Sequence, residues 1–339
     1  MKILVVGFGV VGQALARLLE EQRASLYAGH GFSPSLTGVI DSHGAALDPR
    51  GLDPARLIEA KREHGTVAAL PVGGLLGLAA TDVIAESDAQ VMVEATPTTV
   101  RAPSAALARL KAAFRTGKHV VCVNKAPLAV AFPALLELAR HNHAQFRYSG
   151  TVGGGTPMLA FAEECARGNH VVTLRGVLNG TTNFILWRMD RHGEDFETAL
   201  AEAMRLGYAE RDPSADVDGV DAATKLVILA NGVLDRPCAL ADVSVTGIRG
   251  VTRQQVEGAR ERQQVIKLVA EINQELSVRP REVPADSPLN VPANLNALSL
   301  GLATGGEVTL VGRGAGGAET ATAILRDLIG IWHSIGGGR

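Results

Sequence analysis

Apolar residues along the chain fall into two textures: short unbroken runs rich in β-branched side chains, and longer stretches with helical spacing. Lys2 to Val6 is a run of the first kind. A glycine turn follows, and then Gln13 to Gln22 carries Ala14, Leu15, Leu18 and Leu19 on one helical face. Leu36–Asp41, Val91–Ala95 and His119–Val123 read as further buried strands, with a polar insertion around Gly29 to Ser35 ahead of the second. Asp53 to His64 predicts a helix with Asp53 as its cap and Pro54 at the first helical position. Arg101 to Thr116 predicts another, between the last two strands. Strand alternating with helix implies α/β architecture around a doubly wound parallel sheet.

The texture changes from Ser149. Gly153-Gly154-Gly155 leads into Thr156-Pro157 and a helical stretch through Ala166, and Val171 to Leu178 predicts a strand. Asn179-Gly180-Thr181-Thr182-Asn183 then opens a helix-like segment, Phe184 to Arg191. Helices are expected at 195–206, 221–234 and 252–268. The C-terminal part returns to a strand (Glu307 to Val311), a glycine turn (Gly312 to Gly317) and a last helix ending near Ile331.

Composition narrows the function classes. The 339 residues carry 33 Lys+Arg against 35 Asp+Glu, a formal charge of −2. No basic stripe suits nucleic acid or an anionic membrane, and no apolar run approaches the roughly 18 residues that a membrane span needs. Cys122, Cys165 and Cys238 are too widely spaced for a zinc pattern or a disulfide framework, so a reduced, cytoplasmic protein is expected. Lys2 with the apolar stretch Ile3 to Val11 mimics a secretory signal, but cleavage after Ala16 would remove the first strand and its glycine turn.

The chemistry starts at Gly7-Phe8-Gly9-Val10-Val11-Gly12. Glycines at this spacing are a weak signal alone; between a strand and a helix they predict a dinucleotide site. The first permits a tight turn, the second lets backbone approach a pyrophosphate, and the third lets helix and strand pack closely. The helix N-terminus then offers N–H groups to the phosphates. Asp41, ending the second strand, could bond the ribose hydroxyls and repel a 2′-phosphate, which leans the cofactor toward NAD over NADP. Lys61 and Arg62 could fold back against that lean, and turn capping accounts for such an aspartate equally well. Lys125 and the segment Thr96-Pro97-Thr98 follow buried strands, where ligands bind; a lysine so placed is otherwise a solvated one.

The stretch Gly207-Tyr208-Ala209-Glu210-Arg211-Asp212-Pro213-Ser214-Ala215-Asp216-Val217-Asp218-Gly219-Val220-Asp221 precedes an apolar helix containing Lys225. Acids before a helix ordinarily cap it. Capping does not explain Lys225, four residues after Asp221 on the same helical face. Carboxylates around one lysine suit an amino-acid substrate: the acids hold its ammonium group and the lysine moves a proton.

Together GFGVVG, EATPT, VNKAPLA, TVGGGTP, GVLNGTTNFIL, GYAERDPSADVDGVDAATKL and GRGAGGAETATAILRDL resemble homoserine dehydrogenases along nearly the whole chain. The resemblance implies NAD(P)H-dependent reduction of L-aspartate 4-semialdehyde to L-homoserine, in the branch leading to threonine, methionine and isoleucine. It implies a Rossmann-type nucleotide-binding domain (1–148), an α+β catalytic and dimerisation domain (149–306), a segment returning to the first domain (307–339), and a homodimer. By position it makes Lys225 the general acid and puts Lys125 beside the reacting oxygen and nicotinamide. Asp221, Glu210 and Asp216 would line the substrate, with contacts from Thr181, Gly207 and Tyr208. Nucleotide contacts would come from Gly7 to Gly12, Asp41, Thr96, Pro97, Lys125 and Gly316. Relatives often hold sodium through a glutamate and backbone carbonyls; the carbonyls here would be those of Val152, Gly154 and Thr156, but Ser149 stands at the glutamate position and removes its charge. Glu319 stands where many relatives have a smaller or cyclic residue. No regulatory domain or fused kinase is expected after residue 339. The alternatives are an aspartate-type amino-acid dehydrogenase, against which GYAE…DAATK argues, and an inactive nucleotide sensor, which Lys125, Asp221 and Lys225 disfavour.

Overall fold

The computed structural model describes residues 1–100 and 102–336. Arg101, the expected start of a helix, lies outside the described residues. The chain divides into two compact units, Met1–Thr151 with Gly316–Arg339, and Val152–Ala315.

The first unit is built on a seven-stranded sheet of β1 (Lys2–Val6), β2 (Ser35–Ile40), β3 (Gly44–Leu47), β4 (Gly74–Leu76), β5 (Val91–Glu94), β6 (His119–Cys122) and β7 (Phe146–Arg147), in the order β4-β3-β2-β1-β5-β6-β7. β2, β1, β5, β6 and β7 are parallel, as the alternation of elements predicts. β3 and β4 add an antiparallel edge that short, glycine-interrupted runs did not announce. The helices are α1 (Val10–Glu21), α2 (Arg23–His30), α3 (Pro54–His64), α4 (Ala80–Glu86), α5 (Ser104–Arg115) and α6 (Lys125–His141). The Asp53 side chain accepts from the Ala55 N–H at 2.8 Å, the cap read from sequence. Ile3, Val5, Val39, Val91 and Val93 of the sheet share one core with Leu15 and Leu19 of α1.

The second unit holds α7 (Met158–Ala166), β8 (Val171–Val177), α8 (Gly180–His192), α9 (Phe196–Arg205), α10 (Ser214–Val217), α11 (Val220–Val233), β9 (Ser244–Val245), α12 (Arg253–Glu261), β10 (Gln264–Ile272), β11 (Leu276–Pro284), β12 (Leu295–Leu302) and β13 (Gly306–Arg313). Its sheet order is β13-β12-β8-β10-β11-β9. α11 is buried on nearly every face, which makes it the central helix of this unit.

Two expectations are corrected. The helix read over 252–268 ends at Glu261, and β10 begins at Gln264. Val265, Leu268 and Val269 suit helical spacing, but Gln263 turns left-handed (φ 56°) and a tight hairpin pairs β10 with β11 along its whole length. The strand expected at 307–311 stays in the second unit because β13 pairs with β12; the chain rejoins the first unit only at Gly316. There α13 (Gly317–Ser334) adds Ile324, Leu328 and Ile331 to the first core.

A buried amine braces α8. Lys267 of β10 is 2% exposed, and its Nζ donates to Asn183 Oδ1 (2.8 Å) and the Val291 carbonyl (2.7 Å). The Asn183 amide donates to the carbonyls of Val291, Ala293 and Leu295, fastening α8 to the segment before β12. Burial pushes the Lys267 ammonium down to about 8.

Candidate active site

Each glycine of the 7–12 turn has a separate physical reason. Gly7 has φ 99°, and a Cβ there would lie 2.6 Å from the Ala95 backbone, so the turn abuts the end of β5. A Cβ on Gly12 would collide with the Gly7 carbonyl. Gly9 faces open space, so nothing within the protein requires it; close approach by a ligand would. Gly9 caps α1 with no side-chain bond, leaving the first-turn N–H groups to a phosphate. The Phe8 ring is buried in the core, so Phe8 offers a nucleotide only its backbone, while Val10 is exposed. Val10 opens α1 and Val11 follows it in the first turn. The N-terminus of α13 meets this turn: a Cβ on Gly317 would lie 2.5 Å from Val10 Cγ1. Gly316 caps α13 with φ 142°, and Glu319 sits in its first turn with its carboxylate against the Gly316 Cα. That position balances the helix dipole, which accounts for an acid there.

Asp41 lies where the sequence puts it, just after β2, but its carboxylate is engaged by the protein itself. Oδ1 accepts from the His43 N–H and Thr66 Oγ1, and Oδ2 from Lys61 Nζ (2.8 Å) and the Val67 N–H (2.9 Å). Four donors fill a carboxylate's acceptor capacity. Burial pushes this carboxyl up, but Lys61, His43, Val67 and Thr66 outweigh it and hold it below the usual range. A neutralised, saturated carboxylate neither seeks ribose hydroxyls nor repels a phosphate, so the ground for a lean toward NAD is gone.

At the ends of β5 and β6 the Thr96 N–H and hydroxyl both donate to Glu94, and Asn124 donates to Thr96 Oγ1 (3.0 Å) and the Pro97 carbonyl (3.2 Å). Lys125 opens α6, its N–H bound to Thr98 Oγ1 at 3.2 Å.

The second unit gathers the acid–lysine cluster. Lys225 is 6% exposed, and its Nζ donates to the Leu178 carbonyl (2.6 Å) and Asp221 Oδ2 (2.7 Å). The Asn179 amide bridges Asp221 Oδ2 (2.9 Å) and Asp216 Oδ1 (2.6 Å). The same Asn179 caps α8, its Oδ1 accepting from the Thr182 N–H. The Asp216 carboxyl is pushed up by burial and then by the Asp221 charge, against the Asn179 amide, Lys225 and the Thr181 hydroxyl. Two half-buried carboxylates thus stand around one ammonium. Thr181 also donates to the Tyr208 carbonyl (2.7 Å). Gly207 (φ 76°), the half-exposed Tyr208 and the exposed Glu210 lie on the turn after α9. Asp218 instead pairs with Arg249 at the surface, and its side chain caps no helix: Gly219 stands at the N-cap of α11.

The residues expected around sodium fit the ion poorly. Ser149 spends its N–H and hydroxyl on Asp327 of α13 (2.9 and 2.6 Å), and the Thr156 carbonyl accepts from the Met158 N–H. Among the described residues no cluster of His, Cys, Asp or Glu could hold a metal. Val152 and Gly154 carry no charge to replace the missing glutamate, and no step is routed through an ion.

Sequence reasoning passed over Asn179, although an asparagine between a strand and Gly-Thr-Thr is a legible cap. It also missed the Leu178 carbonyl, which no side-chain motif can reveal. No helix among the described residues is long and apolar enough to cross a membrane.

The chain is similar to known proteins along nearly its whole length. Residues 7–149 match the family model of the homoserine dehydrogenase NAD-binding domain, and residues 157–329 that of homoserine dehydrogenase. The homoserine dehydrogenase of Methanocaldococcus jannaschii is 42% identical over 98% of this chain and 99% of its own. The NAD(+)-dependent homoserine dehydrogenase of Pseudomonas canavaninivorans is 38% identical over 98% of this chain and 96% of its own. A hyperthermophilic archaeal homoserine dehydrogenase in complex with NADPH superposes with a TM-score of 0.85, at 28% identity, over 99% of this chain and 98% of that one. Glycine turn, acid–lysine cluster and full-length similarity converge: the chain belongs to the homoserine dehydrogenase family of NAD(P)-dependent oxidoreductases.

Proposed function

We propose that this chain interconverts L-aspartate 4-semialdehyde and L-homoserine with Lys225 as the general acid and base, and that it accepts both NAD and NADP. When bound, the reduced nicotinamide supplies a hydride to the aldehyde carbon. As charge develops on the carbonyl oxygen, Lys225 Nζ gives it a proton, and the resulting amine regains one from solvent. Two of the three Nζ hydrogens are held by Leu178 and Asp221, which aims the third. Asp216 and Asp221 seat the substrate ammonium, with Thr181, Gly207, Tyr208 and Glu210 around it. The family resemblance assigns Lys125 a role beside the reacting oxygen and the nicotinamide. In the oxidising direction Lys225 takes up the hydroxyl proton of homoserine as the hydride leaves for the oxidised nicotinamide.

The observation that carries this reading is the meeting of two carboxylates with one ammonium, which suits a substrate bearing an ammonium of its own. Dual nucleotide use follows from the Asp41–Lys61 pair, which presents no net negative charge at the end of β2. Exposed Val172, Val245 and Val311 on strands of the second unit support a homodimer, which light scattering tests. The decisive experiment is initial-rate oxidation of L-homoserine with NAD+ and with NADP+, each with sodium, potassium or neither, and with L-aspartate as control. Turnover of aspartate without turnover of homoserine overturns the proposal.

A further inference from the structure

Glu94 ends β5 with no exposure at all. A buried carboxylate is tolerated only when paired and fully hydrogen-bonded. Arg109 of α5 supplies the pairing side-on, Nε to Oε2 at 2.7 Å and Nη2 to Oε1 at 3.1 Å. The same Nη2 donates to Thr96 Oγ1 at 2.8 Å. Thr96 therefore gives its hydroxyl proton to Glu94 and takes Arg109 and Asn124 on its lone pairs. One donor and two acceptor sites are all a hydroxyl has. Its side chain is spent inside the protein, although its place after a strand invites a reading as a nucleotide ligand.

The bonds continue outward without a break. Asn124 reaches the Pro97 carbonyl, and its Oδ1 accepts the Ala126 N–H, capping α6. Lys125 follows, tied to Thr98. This ensemble stands at a defined place. β1 lies between β2 and β5, so the chain departs to opposite sides of β1 there, and the crevice at such a switch point is where doubly wound sheets bind ligands. Gly7 abuts the Ala95–Thr96 backbone across that crevice.

We infer that Arg109 is a positioning residue of the nucleotide crevice: with Glu94 it locks Thr96 and, through it, Asn124, so that residues 94–98 form a fixed wall against the glycine turn. This rests on the NAD(P) dehydrogenase reading above. Apolar residues of the same volume often stabilise a core as well as a buried ion pair does, so what this pair contributes is one geometry in place of several. Arg109 is suited to it because its planar fork holds both carboxylate oxygens and a hydroxyl at once, which a lysine cannot do.

The test uses the full chain and the variants Arg109→Met, Thr96→Val and Thr96→Ser. Two readouts are taken: the Kd of NADH and NADPH by fluorescence, and kcat and KM for homoserine at saturating nucleotide. Arg109→Met and Thr96→Val should each raise the nucleotide Kd roughly ten- to a hundred-fold, the loss expected from removing a hydrogen bond to a charged group. Homoserine KM should stay within about two-fold, and Thr96→Ser should bind nucleotide like the wild type, because it keeps the hydroxyl. The double variant Arg109→Met/Thr96→Val should bind no more than about two-fold more weakly than the worse single variant, since both residues act as one unit. Unchanged nucleotide Kd in both single variants overturns the inference. So does a Thr96→Val loss that adds in full to that of Arg109→Met, because the hydroxyl would then touch the nucleotide itself. Should Arg109→Met fail to fold, the Val/Ser pair at position 96 decides. Wild-type enzyme that binds nucleotide yet leaves homoserine untouched would refute the substrate reading and leave this comparison intact.

Discussion

Replacing Lys225 by methionine isolates the proton from the rest of the site. The side chain is 6% exposed, and methionine fills most of its volume without a charge. The Asn179 amide and the Leu178 carbonyl beside it cannot take over as acid: both hydrogens of the amide are committed to Asp216 and Asp221, and the carbonyl has no proton. The full penalty for losing a general acid is therefore expected, roughly a hundred- to ten-thousand-fold in kcat. That corresponds to about 3–5 kcal/mol of barrier. The homoserine KM should not rise with it. Removing the ammonium takes one positive charge away from Asp216 and Asp221, and a substrate ammonium is then attracted at least as strongly. Chemical rescue is the second signature: added methylamine should restore part of the rate in Lys225→Ala. Steady-state rates from reduced-nicotinamide absorbance measure kcat, KM and rescue alike. If Lys225→Met keeps kcat within about ten-fold of wild type, with nucleotide Kd and Tm unchanged, the lysine is not the proton donor.

The remaining predictions concern charges that the fold uses for itself. Lys61→Met removes the ammonium that neutralises Asp41, so the kcat/KM ratio of NADP+ to NAD+ should fall about ten-fold; an unchanged ratio would show that the Asp41–Lys61 pair lies away from the 2′-position. Asp327 is raised by burial from 3.8 to about 6, so the folded chain holds a proton there that the unfolded chain has released. Stability from this group is present below pH 4 and lost as pH rises through 6. Relative to Asp327→Asn, the wild type should lose about 3 kcal/mol over that window in urea unfolding. Lys267 has the opposite sense. Its folded value of about 8 lies below the ordinary 10.5, so between those limits the unfolded chain binds the extra proton and stability rises with pH. The gap between wild type and Lys267→Met should move by about 3 kcal/mol in favour of the wild type from pH 8 to 10.5, and a gap constant across that range would mean the amine is not desolvated.

What could be read from the chain and what could not divide along a physical line. The glycine turn, the Asp53 cap and the Asp221–Lys225 pair are local: sequence spacing fixes their geometry, because a turn or a helix face sets which neighbours meet. Partners brought together by the sheets leave no such trace. Arg109 reaches Glu94 across a whole strand-to-helix crossover, Lys267 meets Asn183 from 84 residues away, and Ser149 meets Asp327 from 178. The same blindness explains why a carboxylate at the end of a strand is ambiguous in sequence. Asp41 follows the end of β2 and Asp216 lies in the short α10 ahead of α11, and both read as candidate ligands. Their difference is the number of donors already spent on them. Asp41 has four protein donors for its four acceptor positions and is held below the usual carboxylate range, so it anchors the loop that surrounds it. Asp216 accepts from the Asn179 amide, while the Thr181 hydroxyl spends its proton on the Tyr208 carbonyl; it sits beside a second negative charge and is pushed the other way. A carboxylate left short of donors in a buried place is a seat for a cation that arrives from outside, and in this chain that condition is met at the cluster around Lys225.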